Sequence, residues 1–251
     1  MDILNHIDDQ RVAHIQINRA ERKNSLTTAM YQTMADLLRG YDADDHVRVI
    51  LLYGLPEMFC AGNDLSDFLA NPLNGSDSPV VQFLYALRDL QKPLVVSVNG
   101  VAVGIGATML LHADFVVAAD DAKFQMPFVN LGLCPEGGSS LLLAQRAGYL
   151  RAAEVLMFGD FFTANEALDM QMVSKVLPHH ETLRYATHQA HHLATKSPAA
   201  MRATKQLLKA SNADALRITL DTEIERFGQM LKGPDAREAM TAFMEKRKPN
   251  F

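Results

Sequence analysis

The feature that most constrains the fold is a segment, residues 94–112, in which a buried strand, a glycine turn and a helix follow one another. The apolar run 94–98 predicts the strand, residues 99–100 (NG) predict the turn, and residues 104–107 (GIGA) lead into an apolar helix expected to end near His112. The first N–H groups of a helix have no intrahelical partner and carry partial positive charge. The segment therefore predicts a place where backbone N–H groups point at a negatively charged oxygen.

A second strand-to-helix junction precedes this one in the chain. Residues 47–53 (VRVILLY) predict a strand, and the loop after it contains the small or turn-permissive residues Ala61, Gly62 and Asn63. Asp64 is expected to act as the N-cap of a short helix, because its side chain can accept hydrogen bonds from the first helical N–H groups. Backbone N–H groups are again expected at the end of a strand.

The order of the elements indicates the fold class. Further strands are predicted from apolar runs at 3–7, 12–17, 115–119 and 173–177. The strands alternate with helical patterns, which is typical of an α/β fold with largely parallel sheets. After residue 177 the pattern is helical, and Asp235 is expected to cap the last helix. We expect a core at 1–196 that holds the functional site and a helical oligomerisation region at 197–251.

Composition disfavours several classes of protein. The net charge of -5 and the pI near 6.0 disfavour general nucleic-acid binding. No apolar run of about 18 residues occurs, so no membrane span is predicted, and the N-terminus lacks the pattern of a signal peptide. Cys60 and Cys134 are too few for a disulfide framework and fit a reducing compartment. We therefore expect a cytoplasmic protein with neither nucleic acid nor membrane as a partner.

The two junctions together resemble a known family. FCAGNDLSDF and NGVAVGIGATMLLHAD resemble, in that order, the two oxyanion-hole segments of the crotonase superfamily, also called the enoyl-CoA hydratase/isomerase family. The resemblance extends over the chain through NRAERKNSL, LGLCPEGGSS, GDFFTANEALDMQMVSKVL, SPAAMRATKQLL and AFMEKRKPNF. It implies a spiral of ββα turns with a helical C-terminal trimerisation region. It also implies an acyl-CoA substrate, no separate cofactor, no metal, and a homotrimer or a dimer of trimers.

The resemblance assigns roles to residues at the motif positions. The backbone N–H groups of Asn63 and Ile105 correspond to the pair that stabilises the thioester enolate oxygen. Residues around them are expected to contact the substrate: Ala61, Gly62, Asp64, Leu65, Gly104, Gly106 and Phe128. Arg22 and Lys23 are candidates for contacts with the coenzyme A phosphates, and a solvated loop is the alternative interpretation of these cations. Three C-terminal cations are further candidates, from a neighbouring subunit: Lys246, Arg247 and Lys248.

The carboxylates distinguish reactions within the family. Hydration of a 2-enoyl-CoA uses two carboxylates, and this chain has Thr108 and Phe128 at the corresponding positions. The usual activation of water is therefore absent. Glu136, in LCPEGGSS, resembles the single base of Δ3,Δ2-enoyl-CoA isomerases, especially the peroxisomal type. The resemblance implies that Glu136 transfers a proton from C2 to C4 of a 3-enoyl-CoA. We expect Phe128 to contribute to an apolar wall that excludes water and raises the pKa of Glu136.

Other interpretations stay open on the sequence. Glu136 can be a carboxylate that stabilises a helix N-terminus. The chain can instead be a hydratase with rearranged acid and base groups, another enolate-type enzyme, or an acyl-CoA-binding protein without activity. A serine hydrolase using Ser139 or Ser140 is disfavoured, since no Gly-x-Ser-x-Gly motif occurs and no histidine can be assigned. His188, His191 and His192 have helical spacing, but no carboxylate or cysteine spacing completes a site, so no metal is predicted.

Overall fold

The computed structural model describes residues 1–71, 75–245 and 247–251. The loop predicted at 71–79 is therefore described only in part, and the predicted phosphate contact Lys246 lies outside the described residues. The strands are β1 Ile3–Ile7, β2 Val12–Ile17, β3 Val49–Tyr53, β4 Leu94–Val98, β5 Val101–Val103, β6 Phe115–Ala119, β7 Lys123–Gln125, β8 Phe161–Thr163 and β9 Lys175–Leu177. The helices are α1 Thr28–Ala43, α2 Leu65–Ala70, α3 Pro79–Asp89, α4 Ile105–Thr108, α5 Ser139–Ala147, α6 Tyr149–Phe158, α7 Ala164–Asp169, α8 Thr182–Ala194, α9 Pro198–Ala210, α10 Ala213–Met230 and α11 Pro234–Met244.

The strands form a larger and a smaller sheet. The six-stranded sheet has the order β1-β2-β3-β4-β6-β9, and its neighbours pair in parallel except for the β1–β2 hairpin. The three-stranded sheet has the order β5-β7-β8. β4 and β6 lie in the larger sheet, whereas β5 and β7, which follow them, lie in the smaller one before the chain turns into helix. This alternation is the predicted spiral of ββα turns.

The six-stranded sheet is apolar on both faces. On one face Ile15 and Ile50 belong to the main core, which also includes side chains of α1 and α3. The face towards α8 is lined by Val12, Val49, Leu51, Val95 and Val117. Ala186 and Ala190 of α8 are fully buried there, and their small side chains let the helix lie close to the strands. The sheet therefore separates two apolar compartments, as expected for parallel strands covered on both sides.

Side-chain caps begin several helices, and the cap predicted at Asp64 is one of them. Thr27 accepts a hydrogen bond from the N–H of Met30 and begins α1, and Ser197 accepts one from Ala200 and begins α9. Asp64 caps α2 by accepting the N–H groups of Ser66 and Asp67. These side chains fix where the helices begin, because they satisfy N–H groups that have no partner within the helix.

Other predicted boundaries were wrong. The strand predicted to start at Val173 begins at Lys175, because the N–H of Val173 still donates to the Ala167 carbonyl at the end of α7. Asp235 does not cap the last helix, since α11 already begins at Pro234 and Asp235 lies in its first turn. The helix predicted after Gly104 is divided into α4 and a 3-10 turn over Met109–His112.

The C-terminal helices pack onto the rest of the chain. Phe227 of α10 and Ala236 of α11 belong to the main core. Leu207 and Leu208 of α9 and Ile218 of α10 are exposed. The boundary at 196–197 stays a prediction, but the helices beyond it help to close the core. None of the helices within the described residues combines the length and low charge that a membrane-spanning segment requires.

Candidate active site

The two loops singled out in the sequence are joined directly to each other. The N–H of Cys60 donates to the Val101 carbonyl at 3.0 Å, and the N–H of Val103 donates to the Cys60 carbonyl at 2.9 Å. These bonds form a short parallel bridge between Cys60 and Ala102. Asn63 and Ile105, which follow the bridged residues, are thereby brought to the same cleft.

The glycines of these loops have different physical roles. Gly62 and Gly104 have positive φ angles of 93° and 56°, a region that side chains with a Cβ disfavour. Gly106 has ordinary helical geometry, but a Cβ on it would lie 2.7 Å from the Cys60 carbonyl oxygen. The predicted contact of Gly106 with substrate stays a prediction, because Gly106 is absent from the described residues that line the cleft. Its missing side chain lets α4 pack against the Cys60 backbone, away from the residues that line the cleft.

The Asn63 and Ile105 N–H groups are available to a ligand. Both residues line a cleft of about 690 Å³. Within the part of the chain that the structure describes, neither N–H donates a hydrogen bond, whereas the neighbouring N–H of Asp64 donates to the Leu26 carbonyl at 2.9 Å. Ile105 is the first residue of α4, where N–H groups carry partial positive charge. The pair is thus suited to bind one negatively charged oxygen.

The other predicted contacts line the same cleft, apart from Gly106. They are Arg22, Lys23, Ala61, Gly62, Asp64, Leu65, Gly104 and Phe128. The volume lies in the range of small-molecule sites. The C-terminal region adds residues from the same chain to the wall: Phe227, Ala239, Met240, Arg247 and Pro249. The cleft is therefore lined by residues from both sides of residue 196. The sequence analysis had expected the functional site within the core at 1–196.

The basic loop at the mouth of the cleft is rigidly held. Asn24 is fully buried, and its amide donates to the carbonyls of Ile17, Met58 and Phe59. The Lys23 carbonyl accepts the N–H of Ala61 at 3.1 Å, so the basic loop is tied to the loop that contains Gly62 and Asn63. The Arg22 and Lys23 side chains are exposed at the mouth, where they can reach an anionic ligand.

Arg247, a third predicted phosphate contact, differs from these two. Its guanidinium forms ion pairs with Glu238 at 2.5 Å and Glu245 at 2.6 Å, which balance its charge. It reaches the cleft from the same chain rather than from a neighbouring subunit. Arg22 and Lys23 are therefore the better candidates for binding phosphate.

Glu136 lies in a small chamber behind the cleft. The chamber has a volume of about 20 Å³ and shares Asn63, Phe68 and Phe227 with the cleft wall. Its remaining lining residues are Tyr31, Val80, Val81, Leu84 and Ile224. Glu136 is the one carboxylate among the described residues that line it. The three shared residues therefore stand between Glu136 and the cleft.

Burial controls the ionisation of Glu136. The residue is 8 % exposed, and burial raises the pKa of its carboxyl group to about 8 although a hydrogen bond from Thr108 favours the charged form. The Thr108 hydroxyl donates to Oε1 of Glu136 at 2.5 Å. A carboxyl group with a pKa near physiological pH can both accept and return a proton. Thr108 thus orients the Glu136 carboxylate.

The backbone around Glu136 holds it in this position. Gly137 and Gly138 both have positive φ, 71° and 74°, and turn the chain sharply between Glu136 and α5. The Gly137 carbonyl lies 2.7 Å from Nε2 of His112, and the Ser139 hydroxyl donates to the Glu136 carbonyl at 2.7 Å. These contacts fix the loop on both sides of the carboxylate.

The alternative interpretation of Glu136 as a helix-terminal carboxylate is contradicted by the structure. Glu223 of α10 fills that role, since its carboxylate accepts the N–H of Gly138 at 2.6 Å and the N–H and hydroxyl of Ser140. Glu136 is therefore free of helix capping. The same contacts disfavour a serine hydrolase, because Ser140 donates to a carboxylate and Ser139 to a carbonyl. Neither hydroxyl has a histidine partner within the described residues.

The structure places Phe128 in the cleft and shows a residue that the sequence did not single out. Phe128 lines the cleft and meets the Phe227 ring edge to face at 6.4 Å, but it is absent from the described residues that line the Glu136 chamber. Its effect on the Glu136 pKa stays a prediction. Tyr31 was missed, although its hydroxyl donates to the Asn63 side chain within the chamber. Nothing in the sequence around Tyr31 indicated a contact with Asn63.

The comparisons with known proteins place this geometry in a family. The family model for enoyl-CoA hydratase/isomerase matches residues 8–251, so the chain belongs to the enoyl-CoA hydratase/isomerase family. It is 36% identical to a 1,2-epoxyphenylacetyl-CoA isomerase of Escherichia coli, over 99% of this chain and 97% of that protein. It is 33% identical to a 2,3-dehydroadipyl-CoA hydratase of the same organism, over 96% and 95%.

A solved structure of similar sequence agrees. An enoyl-CoA hydratase/isomerase from Pseudoalteromonas atlantica superposes with a TM-score of 0.95 at 34% identity, over 100% of both chains. The chain is therefore an enzyme of this family with the crotonase fold. Because relatives carry both isomerase and hydratase names, the choice of reaction depends on the residues of the site.

Proposed function

We propose that this enzyme is a Δ3,Δ2-enoyl-CoA isomerase. The observation that carries the proposal is the position of Glu136, which is the one carboxylate among the described residues lining an apolar chamber that also contains Asn63; burial raises its pKa to about 8. Thr108 and Phe128 occupy the positions of the two hydratase carboxylates and offer no base. A proton shift within the substrate requires one group that accepts and then returns a proton, whereas addition of water requires the water to be held and activated.

In the proposed mechanism the thioester carbonyl oxygen of a 3-enoyl-CoA accepts hydrogen bonds from the Asn63 and Ile105 N–H groups. Ionised Glu136 removes a proton from C2, and the electron pair forms a dienolate whose negative charge rests on that oxygen. Glu136, now protonated, donates the proton to C4, and the electrons return to leave the double bond between C2 and C3. The donors act mainly on the charge that develops, which is where such groups lower a barrier most.

The decisive assay offers both types of substrate to the purified enzyme. We expect 3-hexenoyl-CoA to give 2-hexenoyl-CoA without change of mass, and 2-hexenoyl-CoA to gain no water, as followed by mass spectrometry. Addition of water to the 2-enoyl substrate would establish a hydratase with rearranged acid and base groups. Binding without turnover would establish an acyl-CoA-binding protein. Turnover of an epoxyphenylacetyl-CoA instead would assign the reaction named for the Escherichia coli isomerase.

Replacing Thr108 by Val is expected to shift the pH dependence of isomerisation upwards. The lost hydrogen bond stabilises ionised Glu136, and hydrogen bonds to charged groups contribute about 1.5–3 kcal/mol, equivalent to roughly one to two pH units. The rate at pH 7 should fall, whereas the rate at high pH should recover. Thr108→Ser keeps the hydroxyl and should keep the profile. An unshifted profile in Thr108→Val would contradict this role of Thr108.

Replacing Arg22 and Lys23 together by Ala is expected to raise KM with little change in kcat. Both side chains are exposed at the cleft mouth, away from Glu136, so they are expected to bind the phosphates rather than the reacting atoms. The effect should shrink as ionic strength rises, because salt screens exposed charges. Lys196→Ala, which removes an exposed cation that does not line the cleft, is the control. An equal fall of kcat in the double variant would contradict a role limited to binding.

We further propose that the enzyme acts in the cytoplasm as a homotrimer or a dimer of trimers, without a cofactor beyond the coenzyme A of its substrate. The exposed apolar residues Leu207, Leu208 and Ile218 of α9 and α10 support an assembly surface in the C-terminal region. Light scattering of the purified protein tests the assembly, which should have the mass of three or six chains. A monomer would contradict it.

A further inference from the structure

Three potential metal ligands meet on the face of the six-stranded sheet that α8 covers. Asp8 lies in the turn between β1 and β2, His14 lies on β2, and His191 lies on α8. Oδ2 of Asp8 is 3.0 Å from Nε2 of His14 and 2.7 Å from Nε2 of His191. One ligand atom from each residue lies within 4.8 Å of the others. The sequence spacing offered no carboxylate for His191, whereas the fold brings Asp8 to it from a distant part of the chain.

The two oxygens of Asp8 have separate partners. Oδ1 accepts the backbone N–H groups of Gln10 at 3.0 Å and Val12 at 2.9 Å, which fixes the carboxylate in the turn. Oδ2 faces only the two imidazoles among its described contacts. Oδ2 is therefore the oxygen that can bind an ion between the two rings.

His14 is held with its Nε2 towards this oxygen. Its ring stacks on His6, its cross-strand partner, with centroids 4.3 Å apart, and meets the Tyr53 ring edge to face at 6.0 Å. Imidazole nitrogens and carboxylate oxygens are both groups that bind metal ions. The His191 side chain is about one third exposed, so solvent reaches the cluster from its side.

We propose that Asp8, His14 and His191 form a binding site for one divalent transition-metal ion of the zinc type. Two imidazole nitrogens and one carboxylate oxygen are a donor set that Zn²⁺ accepts, with water as the fourth ligand on the open side. An ion bonded at about 2.0–2.2 Å to each atom requires the donors to separate slightly from their present hydrogen-bond distances. Rotation of the partly exposed His191 side chain provides that freedom.

The position of the site indicates its role. It ties the β1–β2 turn to α8 on the α8 face of the sheet, whereas Glu136 and its chamber belong to the opposite compartment. The ion therefore stabilises the fold and takes no part in acyl-CoA chemistry. Binding to the folded state alone raises the melting temperature by mass action.

The test is titration of metal-stripped full-length protein with Zn²⁺ by calorimetry, and with Co²⁺ followed by its visible absorption. We expect one ion per chain, a rise in melting temperature, and unchanged acyl-CoA turnover. His191→Gln and the nearly isosteric Asp8→Asn should each lose the stoichiometric ion and the thermal shift. His191 is partly exposed, so its replacement is expected to leave the fold intact, which circular dichroism verifies.

The matched control lies on the same helix. His188 and His192 are one helical turn apart on α8 and can bind a metal ion as a pair, without a ligand from any other element. The double variant His188→Ala, His192→Ala should keep the ion, the Co²⁺ spectrum and the thermal shift. Loss of binding in this variant but not in His191→Gln would overturn the proposal in favour of that surface pair. Absence of stoichiometric Zn²⁺ binding by the parent protein would overturn it outright.

Discussion

Glu136→Gln is expected to lower kcat for isomerisation of 3-hexenoyl-CoA by about 10²–10⁴-fold, the usual contribution of a general acid–base group. Gln keeps the size of the side chain and can still accept the Thr108 hydrogen bond, but it cannot take up a proton. Binding of the saturated analogue hexanoyl-CoA should persist, since the oxyanion donors and the cleft are unchanged. Glu136→Asp keeps the carboxylate and should recover part of the rate. Full activity of the Gln variant would remove Glu136 from the mechanism.

The pH dependence of the unchanged enzyme gives a second measurement of the same group. Glu136 must be ionised to accept the C2 proton, so kcat/KM should rise with pH and level off above about 8, the pKa of the buried carboxyl group. The Gln variant should lack this rise in its residual activity. A profile already flat at pH 6 would contradict the raised pKa.

Stability should respond to the same titration. Because the pKa of Glu136 is raised from 4.5 to about 8 on folding, the folded state holds a proton that the unfolded state has released. Its stabilising effect is full below pH 4.5 and is lost as pH rises through 8. Gln does not titrate, so the Glu136→Gln variant does not lose this stabilisation. Its melting temperature should exceed that of the parent protein by a margin that grows between pH 5 and pH 9. Calorimetry at both pH values measures the difference.

Gly106→Ala is expected to damage catalysis through the oxyanion hole. A methyl group there would lie 2.7 Å from the Cys60 carbonyl oxygen, which is backbone and belongs to the bridge between the two loops. The loops must separate, and Ile105, one residue before Gly106, moves with α4. Loss of one oxyanion donor costs about 2.7–4 kcal/mol of transition-state stabilisation, so kcat should fall by about 10²–10³-fold, together with a lower melting temperature.

Gly40→Ala is the matched control for this prediction. Gly40 lies within α1, and a Cβ there would meet no atom within 4 Å. Ala is favoured over Gly inside a helix by roughly 0.5–1 kcal/mol, so this variant should keep its activity and gain stability. If Gly106→Ala retained full kcat, the close packing of α4 on Cys60 would not be what positions the oxyanion donor.

The sequence was informative about local structure because each signal depends on neighbouring residues. A glycine before an apolar helix, as at 104–107, requires only the short-range rules for turns and helix N-termini. The cap at Asp64 was predictable for the same reason. Asp235 was misplaced because Asp is suited both to capping a helix and to its first turn, and the preceding Pro234 decides between them.

The sequence was less informative wherever residues distant in the chain meet. Nothing near Glu136 indicated that Glu223 caps α5 in its place, or that Thr108 donates to its carboxylate. The sequence singled out Gly106, but not the reason that a glycine is needed there. The reason is the close approach of the Cys60 backbone, which belongs to another loop. The contact between His191 and Asp8 is of the same kind.

The sequence by itself therefore determined the α/β class and the pair of glycine loops, because turns and hydrophobic periodicity are set by residues close together in the chain. The spiral of ββα turns and the candidate base Glu136 followed from the resemblance of the motifs to a known family. Only the tertiary structure decided how Glu136 ionises, which residues close its chamber and why Gly106 has no side chain. Burial and contact between distant loops arise when the chain folds, and they set the pKa of the base and the position of the oxyanion donors.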